Sequence, residues 1–373
     1  MRAIITGGGT GGHINPALAI ASIIKEHEPD SQFLFAGTPF GMEAKLVPQA
    51  GYEFAAIKVK GFQRKISPEN IKKNIQALYY LAGSKSRAKE IIKKFNPDIV
   101  IGTGGYVSGP VVRQAAKSGI PTAIHEQNAY PGVTTRILSK SVDKVMLTVK
   151  EALDYLEKDI DYTVTGLPVR AEILNQDKEQ ARKKLGFDNC LTILSFGGSL
   201  GAGCINDTMA QVIKYTHQSG MKINHIHGYG GMGKDTFPEI MKKNNIPMES
   251  DRMRISEYIN DMDVCMAAAD LVVCRSGATT LAEIEAMGKP SILIPSPIVA
   301  GNHQFHNANV LGKAGAAVVI EQKNIKADNV ISMIKDFYNN PLKLTEMSAH
   351  AYELSIKDTS ERIWSVISSL TKK

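Results

Sequence analysis

The chain has 373 residues, 43% of them hydrophobic and 22% charged, and a formal net charge of +7. That length exceeds one ordinary core and predicts two domains of somewhat under about 200 residues each, while the composition excludes a disordered or fibrous protein. No apolar run is long enough to span a bilayer, and the short apolar stretch after Arg2 is unlike a secretory signal, so a cytoplasmic protein is expected.

The first predicted element is a buried strand, Ala3 to Thr6, which breaks into Gly7-Gly8-Gly9-Thr10-Gly11-Gly12-His13 and then Asn15-Pro16. Five glycines in six positions allow turns closed to other residues and a close approach to a ligand. The helix that follows offers unpaired N–H groups to an anion, so the segment reads as a phosphate cradle. Pro16 suits a first helical turn, and Ala17, Leu18, Ile20, Ala21 and Ile24 give the helix an apolar face. Taken literally, Gly7, Gly9 and Gly12 fit the G-x-G-x-x-G of a dinucleotide site. The next strand, however, ends Phe35-Ala36-Gly37-Thr38, without the acidic residue that holds a nicotinamide ribose.

Further strands are predicted at Gln32 to Ala36, Phe54 to Val59, Asp98 to Gly102, Pro121 to His125, Lys144 to Leu147 and Tyr162 to Thr165. Between Lys60 and Lys94 ten Lys or Arg face only Glu69 and Glu90, a local net charge of +8. Within this segment Ile71, Ile75, Leu78, Tyr79 and Ala82 fall at helical spacing among Lys72, Lys73, Lys85 and Arg87. Two readings are open: a basic amphipathic helix lying on an anionic membrane, or a surface helix whose apolar stripe faces the core. Nucleic acid is disfavoured, because no interleaved aromatic motif accompanies the charge.

Another strand-to-helix glycine loop follows at Gly102-Thr103-Gly104-Gly105-Tyr106-Val107-Ser108-Gly109-Pro110, and the strand after it ends His125-Glu126-Gln127-Asn128. Four consecutive hydrogen-bonding side chains at a strand end favour a binding site. Gly166-Leu167-Pro168-Val169-Arg170 and a charged helix, Asp177 to Lys184, mark a border, predicting domains at 1–165 and 166–357.

The second series of strands runs Leu191 to Phe196, Lys222 to His227, Arg252 to Ser256, Leu271 to Cys274, Ser291 to Ile294 and Ala316 to Ile320. It repeats the first, with Gly197-Gly198-Ser199-Leu200-Gly201-Ala202-Gly203 after its first strand. The α/β alternation predicts two Rossmann-like parallel-sheet domains facing across a cleft. Arg275-Ser276-Gly277-Ala278-Thr279-Thr280 opens a helix carrying Glu283, which suits a diphosphate and two ribose hydroxyls. Equally, Ser276 or Thr279 is an N-cap and Glu283 a favourable charge near a helix start. Gly301-Asn302-His303-Gln304 and Asn307 form a polar cluster suited to sugar hydroxyls. The chain closes on a capped amphipathic helix, about 358–373, with Ile363, Trp364, Val366, Ile367 and Leu370 on one face; periodicity leaves open which domain it joins. Cys190, Cys204, Cys265 and Cys274 make no C-x-x-C pair and read as reduced structural thiols.

This ordered set, from Gly7–His13 through Gly104–Pro110, His125–Asn128, Gly166–Arg170, Gly197–Ser199 and Arg275–Glu283 to Gln304 and Asn307-Ala308, resembles the MurG family of bacterial glycosyltransferases over nearly the whole chain. The family linker often reads Gly-Asn-Pro-Val-Arg, and Leu167 stands here in place of the Asn. The resemblance implies a GT-B fold and transfer of N-acetylglucosamine from UDP-N-acetylglucosamine to undecaprenyl-diphospho-N-acetylmuramoyl-pentapeptide, giving lipid II for peptidoglycan.

By position it implies donor contacts at Thr10, Gly11, Gly12, Asn128, Arg170, Ser199, Ile259, Ala278, Thr279, Thr280, Leu281, Ala282, Glu283 and Gln304, with Ile259 at the uracil and Glu283 at the ribose. The acceptor is expected at Gly8, Gly9, Gly104, Gly105, Tyr106 and Ser108. His13 is the expected general base, because imidazole takes up protons near neutrality, and Glu126 is the alternative. Asp159-Ile160-Asp161 and Asp261-Met262-Asp263 match D-x-D, but neither follows a strand end as a metal-diphosphate motif requires, so no cofactor and no protein-bound metal are expected. A polyprenyl acceptor stays in its bilayer, at roughly 0.8 kcal/mol per CH₂ exposed, which favours the membrane reading of Phe62 to Leu81 and a peripheral place on the cytoplasmic membrane face. Competing classes are a UDP-N-acetylglucosamine epimerase on the same architecture, a flavin or nicotinamide oxidoreductase, and a non-catalytic membrane scaffold.

Overall fold

The computed structural model describes residues 1–61 and 67–371 and divides into two units. Unit 1 is Met1–Pro168 with Asp358–Lys373, and unit 2 is Val169–Lys357. The division falls three residues beyond the Thr165/Gly166 border expected from sequence. The amides of Thr165 and Gly166 both donate to the Leu147 carbonyl, which ties those two residues to unit 1.

Unit 1 contains β1 (Arg2–Gly7), β2 (Gln32–Gly37), β3 (Glu53–Ala56), β4 (Ile99–Gly104), β5 (Thr122–Glu126), β6 (Lys144–Leu147) and β7 (Tyr162–Val164). They form one parallel sheet in the order β3-β2-β1-β4-β5-β6-β7. The central strands are buried on both faces, as near-continuous Val and Ile runs require when helices cover both sides. β3 is shorter than the Phe54 to Val59 run suggests. Its ladder partner β2 ends at Gly37, whose carbonyl accepts from Ile57, and beyond the strand Ile57 and Val59 remain buried in the hydrophobic core.

The helix after β1 runs Gly11–His27, five residues earlier than a first turn at Pro16 would place it. Pro16 therefore lies inside the helix and has no N–H to offer the Gly12 carbonyl. The C-terminal helix Thr359–Thr371 belongs to unit 1: Ile363, Val366 and Ile367 pack with Ile20 and Ile24, and Trp364 stacks on His27 at 4.7 Å with an interplanar angle of 1°.

The basic helix runs Pro68–Phe95, capped by Ser67, whose hydroxyl accepts from the Asn70 amide, and ended by Asn96 in the left-handed region. Ala77, Ser84, Ala88, Ile91 and Ile92 are its buried face. Ile71, Ile75, Leu78 and Tyr79 point outward, Tyr79 with 76% of its surface exposed, so the stripe seen in the sequence is not the one that faces the core. Residues 62–66 of the expected membrane segment lie outside the described residues. Among the described residues, no helix is long and apolar enough to cross a membrane.

Unit 2 contains β8 (Leu191–Phe196), β9 (Ile223–Gly228), β10 (Glu249–Ser250), β11 (Met253–Ser256), β12 (Leu271–Cys274), β13 (Ser291–Leu293) and β14 (Ala317–Val319). Their order is β10-β11-β9-β8-β12-β13-β14, parallel except for β10 against β11. The two-residue β10 has no apolar alternation and was not predicted. Without it the strand order repeats that of the first six strands of unit 1, β7 having no counterpart, with the sheet order reversing at β1 and at β8, where a ligand crevice is expected beyond the carboxyl ends of the strands. Each glycine loop sits at such an end.

Candidate functional site

In unit 1 the loop after β1 interlocks with the loop after β4. Gly104 and Gly105 have φ of +108° and +80°, a left-handed backbone open to glycine. A Cβ on Gly105 would lie 2.4 Å from the Gly8 carbonyl oxygen, and one on Gly104 2.6 Å from Nδ1 of His13. The Thr103 hydroxyl donates to the His13 carbonyl at 2.8 Å. Thr10 holds the N-cap position with an exposed side chain that makes no capping bond, and Gly11 and Gly12 open the helix beside it. The His13 amide already donates to the Thr10 carbonyl at 3.1 Å, which leaves the N–H groups of Gly11 and Gly12 at the helix start to suit an anion.

The brace of this loop was not found from sequence. Glu43, fully buried, accepts from the Gly9 amide at 3.0 Å and from the amide and hydroxyl of Thr38 at 2.9 and 2.7 Å. Burial pushes its carboxyl up, but the hydrogen bonds from Gly9, from its own backbone and from Thr38 outweigh it and hold the group below its ordinary value. No local pattern announces a contact spanning 34 residues.

The acceptor residues divide by geometry. Tyr106 is exposed, whereas Ser108 is buried with its hydroxyl shared between the Thr6 and Gly104 carbonyls at 2.8 and 2.7 Å. Ser108 thus shapes the loop and does not face outward. Glu126 is likewise committed: Oε1 accepts from the amide and side-chain nitrogens of Asn128 at 3.0 and 3.1 Å, and Oε2 from the Gly132 amide at 3.0 Å. His13 is half-buried, with Nδ1 3.0 Å from Oε1 of Gln127.

In unit 2 the loop after β8 leads into the helix Gly203–Gln218. Gly201 and Gly230, both at positive φ, pack backbone against backbone, and Ser199 stands exposed at the loop tip. After β12 comes the helix Ala278–Ala286. Arg275 anchors the loop before it through the carbonyls of Ile294 and Pro295 at 3.0 and 3.1 Å and Oε1 of Gln322 at 2.7 Å. Ser276 is buried and donates to the Gln304 carbonyl at 2.8 Å, while Oε1 of Gln304 accepts from the Ser296 amide at 2.9 Å. Ser276 is therefore no N-cap; Gly277 occupies that position.

Ala278, Thr279 and Thr280 are partly exposed in the first turn of that helix. Leu281 and Ile259 lie in the hydrophobic core and Ala282 is buried, so these three residues offer little surface of their own to a ligand. Glu283 is buried one turn on, and Arg170 donates to it. Burial raises the Glu283 carboxyl and the Arg170 guanidinium opposes the rise. Three of the four D-x-D carboxylates are engaged elsewhere: Asp261 with Arg254, Asp263 with Gln176 and Asp161 with Lys144.

The chain matches two family models, the glycosyltransferase family 28 N-terminal domain over residues 3–147 and the family 28 C-terminal domain over residues 192–363. A relative from Acetivibrio thermocellus, named UDP-N-acetylglucosamine--N-acetylmuramyl-(pentapeptide) pyrophosphoryl-undecaprenol N-acetylglucosamine transferase, is 46% identical over 373 residues, covering 100% of this chain and 99% of its own. The crystal structure of Acinetobacter baumannii MurG superposes with a TM-score of 0.79 at 27% identity, covering 99% of each chain. UDP-GlcNAc 2-epimerase from Neisseria meningitidis bound to UDP-GlcNAc gives a TM-score of 0.66 at 14% identity over 100% of each chain, a likeness of fold alone.

Proposed function

The chain belongs to glycosyltransferase family 28, in its MurG branch, and on that premise we propose that it transfers N-acetylglucosamine from UDP-N-acetylglucosamine to the 4-hydroxyl of undecaprenyl-diphospho-muramoyl-pentapeptide, forming lipid II. The observation that carries the reading is the full-length match at 46% identity to a transferase of that name. The epimerase reading has only a shared fold behind it.

The donor's nucleotide is assigned to unit 2. Its ribose hydroxyls donate to Glu283, its uracil meets the main chain at Ile259, and Gln304 and Arg170 reach the rest of the donor. The diphosphate lies at Ser199 and at the N-termini of the helices Gly203–Gln218 and Ala278–Ala286, whose N–H groups offset the charge that grows as UDP leaves. Thr10, Gly11, Gly12 and Asn128 are assigned to the reacting sugar. The acceptor diphosphate is assigned to the backbone of Gly8, Gly9, Gly104 and Gly105, with Tyr106 beside it.

The chemistry is one displacement at the anomeric carbon. The 4-hydroxyl attacks as His13 removes its proton, the bond to the UDP oxygen breaks, and the α-linked donor becomes a β-linked product without a covalent enzyme intermediate. Glu126, its oxygens held by Asn128 and Gly132, is assigned as the brace of its loop, not as a second base. The outward apolar residues of the helix Pro68–Phe95, with Lys72, Lys85 and Arg87 exposed around them, support a peripheral seat on an anionic membrane where the lipid acceptor resides.

The test follows radiolabelled UDP-N-acetylglucosamine into butanol-extractable lipid. Label enters that phase only when the muramoyl acceptor is supplied. Epimerised sugar nucleotide formed without acceptor, and no labelled lipid, would overturn the reading.

A further inference from the structure

We propose that Gln127 is a positioning residue that fixes the tautomer of His13, placing the proton on Nδ1 and leaving the lone pair on Nε2. The inference rests on the reading of His13 as the base, but its first readout does not depend on activity.

The assignment follows from groups that can only accept. Nε2 of Gln127 lies 2.8 Å from the carbonyl oxygen of His125, so the amide's NH₂ end is at that position. The other end, Oε1, then faces Nδ1 of His13 at 3.0 Å. An amide oxygen accepts and never donates, so Nδ1 carries the hydrogen and Nε2 of the neutral ring is the basic nitrogen.

The far end of the chain agrees independently. Nε2 of His125 is 2.9 Å from the Gly166 carbonyl, so it too must donate. Nδ1 of a neutral His125 then holds a lone pair, and it lies 3.2 Å from Nε2 of Gln127, whose second hydrogen it can accept. His125 is 1% exposed, and burial lowers its pKa, which keeps the ring in the neutral form this pattern needs. Each donor in the run from Gly166 through His125 and Gln127 to His13 meets an acceptor, and one reversal would oppose like groups at two places.

Gln127 is itself buried, and a Cβ on Gly104 would lie 2.6 Å from Nδ1 and 2.7 Å from Cε1 of His13, so a side chain there would displace the ring. A carboxylate in place of the amide would also draw the proton to Nδ1. The amide does so without adding a charge.

The experiment is long-range ¹H–¹⁵N NMR on ¹⁵N-histidine-labelled protein at pH 7.5, with His13 assigned by its loss in His13→Phe. The expected wild-type spectrum is that of an Nδ1–H imidazole. In Gln127→Met, of similar length but with only a weakly accepting thioether, His13 goes over to Nε2–H. Its kcat falls about a hundredfold, with KM for both substrates within about twofold.

Gln127→Glu keeps an acceptor opposite Nδ1, while its second oxygen, facing the His125 carbonyl where the amide NH₂ stood, carries the carboxyl proton and donates it there. It retains the Nδ1–H tautomer and turns over at least about tenfold faster than Gln127→Met, a rescue that a merely structural role would not give. UDP binding measured by calorimetry stays at the wild-type value in both variants, reporting that unit 2 is folded. An Nε2–H signature for His13 in the wild type overturns the proposal outright. So does a Gln127→Met protein with an unchanged tautomer. A changed tautomer with unchanged kcat overturns the positioning role and marks the choice of His13 as base as the failing premise.

Discussion

Arg170 donates from Nη2 to Oε1 of Glu283 at 3.0 Å and from Nε to the same oxygen at 3.3 Å, pairing a half-exposed guanidinium with a buried carboxylate. A charge left alone in that position would be costly, so the pair keeps Glu283 ready to accept from a ligand. Glu283→Gln removes the charge and one acceptor, and UDP affinity measured by calorimetry falls about 10- to 100-fold, the equivalent of roughly 1.5–3 kcal/mol for hydrogen bonds to a charged group. Arg170→Ala leaves the upward push of burial unopposed. UDP binding by that variant then weakens more steeply than the wild type's as pH falls from 8 to 6, and parallel profiles would disprove the coupling.

Glu43 makes the corresponding prediction for unit 1. Its folded pKa lies below the unfolded value, so its contribution is complete above the unfolded pKa and is lost as pH falls through the folded one. Glu43→Gln brings an NH₂ group toward either the Gly9 or the Thr38 amide and costs about 1–3 kcal/mol of loop stability. The expected result is a higher KM for the lipid acceptor with UDP affinity unchanged. Loss of UDP affinity instead would show that the brace is not confined to the glycine loop.

The exposed half of the helix Pro68–Phe95 is tested by flotation with liposomes containing anionic lipid. A lysine near such a surface contributes about 1 kcal/mol, so Lys72→Glu with Lys73→Glu weakens binding at least about tenfold. Leu78→Ser with Tyr79→Ser weakens it also at high salt, where the charge contribution is screened. Binding by the charge-reversed protein equal to wild type would refute this surface as the membrane contact.

Unit 2 holds two buried histidines on β9 outside the proposed chemistry. Burial lowers His225 to about 4 and His227 to about 3, the latter helped by its neighbour His225. Both folded values lie below the unfolded value of about 6.5, so the unfolded chain binds more protons in between. Stability is therefore full above about pH 6.5 and is lost as pH falls toward 4, by roughly 4 kcal/mol for the two together at pH 5. Calorimetry should show unit 2 melting progressively lower from pH 7 to 5, with a shallower slope for His227→Asn. Trp364, the one tryptophan of the chain, stacks on His27 in unit 1 and follows that unit separately.

The sequence by itself determined the two α/β units, most strand positions and both sets of glycine loops. Apolar runs such as Ile99–Ile101 and Leu271–Val273 report burial locally, and glycine tolerates the positive φ that Gly104, Gly105 and Gly201 adopt. The candidate residues that lie on those loops were legible for the same reason. Tertiary structure alone decided what each side chain does there. Ser108 and Ser276 read as ligand or cap hydroxyls but spend their hydrogen bonds on distant carbonyls, while Leu281 and Ile259 turn their side chains into the core. The outward face of the basic helix was settled by where Ala77, Ala88 and Ile91 found neighbours, which helical spacing cannot report. Glu43 reaches Gly9 across 34 residues and Gln127 reaches His13 across 114. Hydrogen bonding is set by distance and direction between groups that only the completed sheet brings together, and so the partners of His13 and Glu283 belong to the fold and not to any local run of the chain.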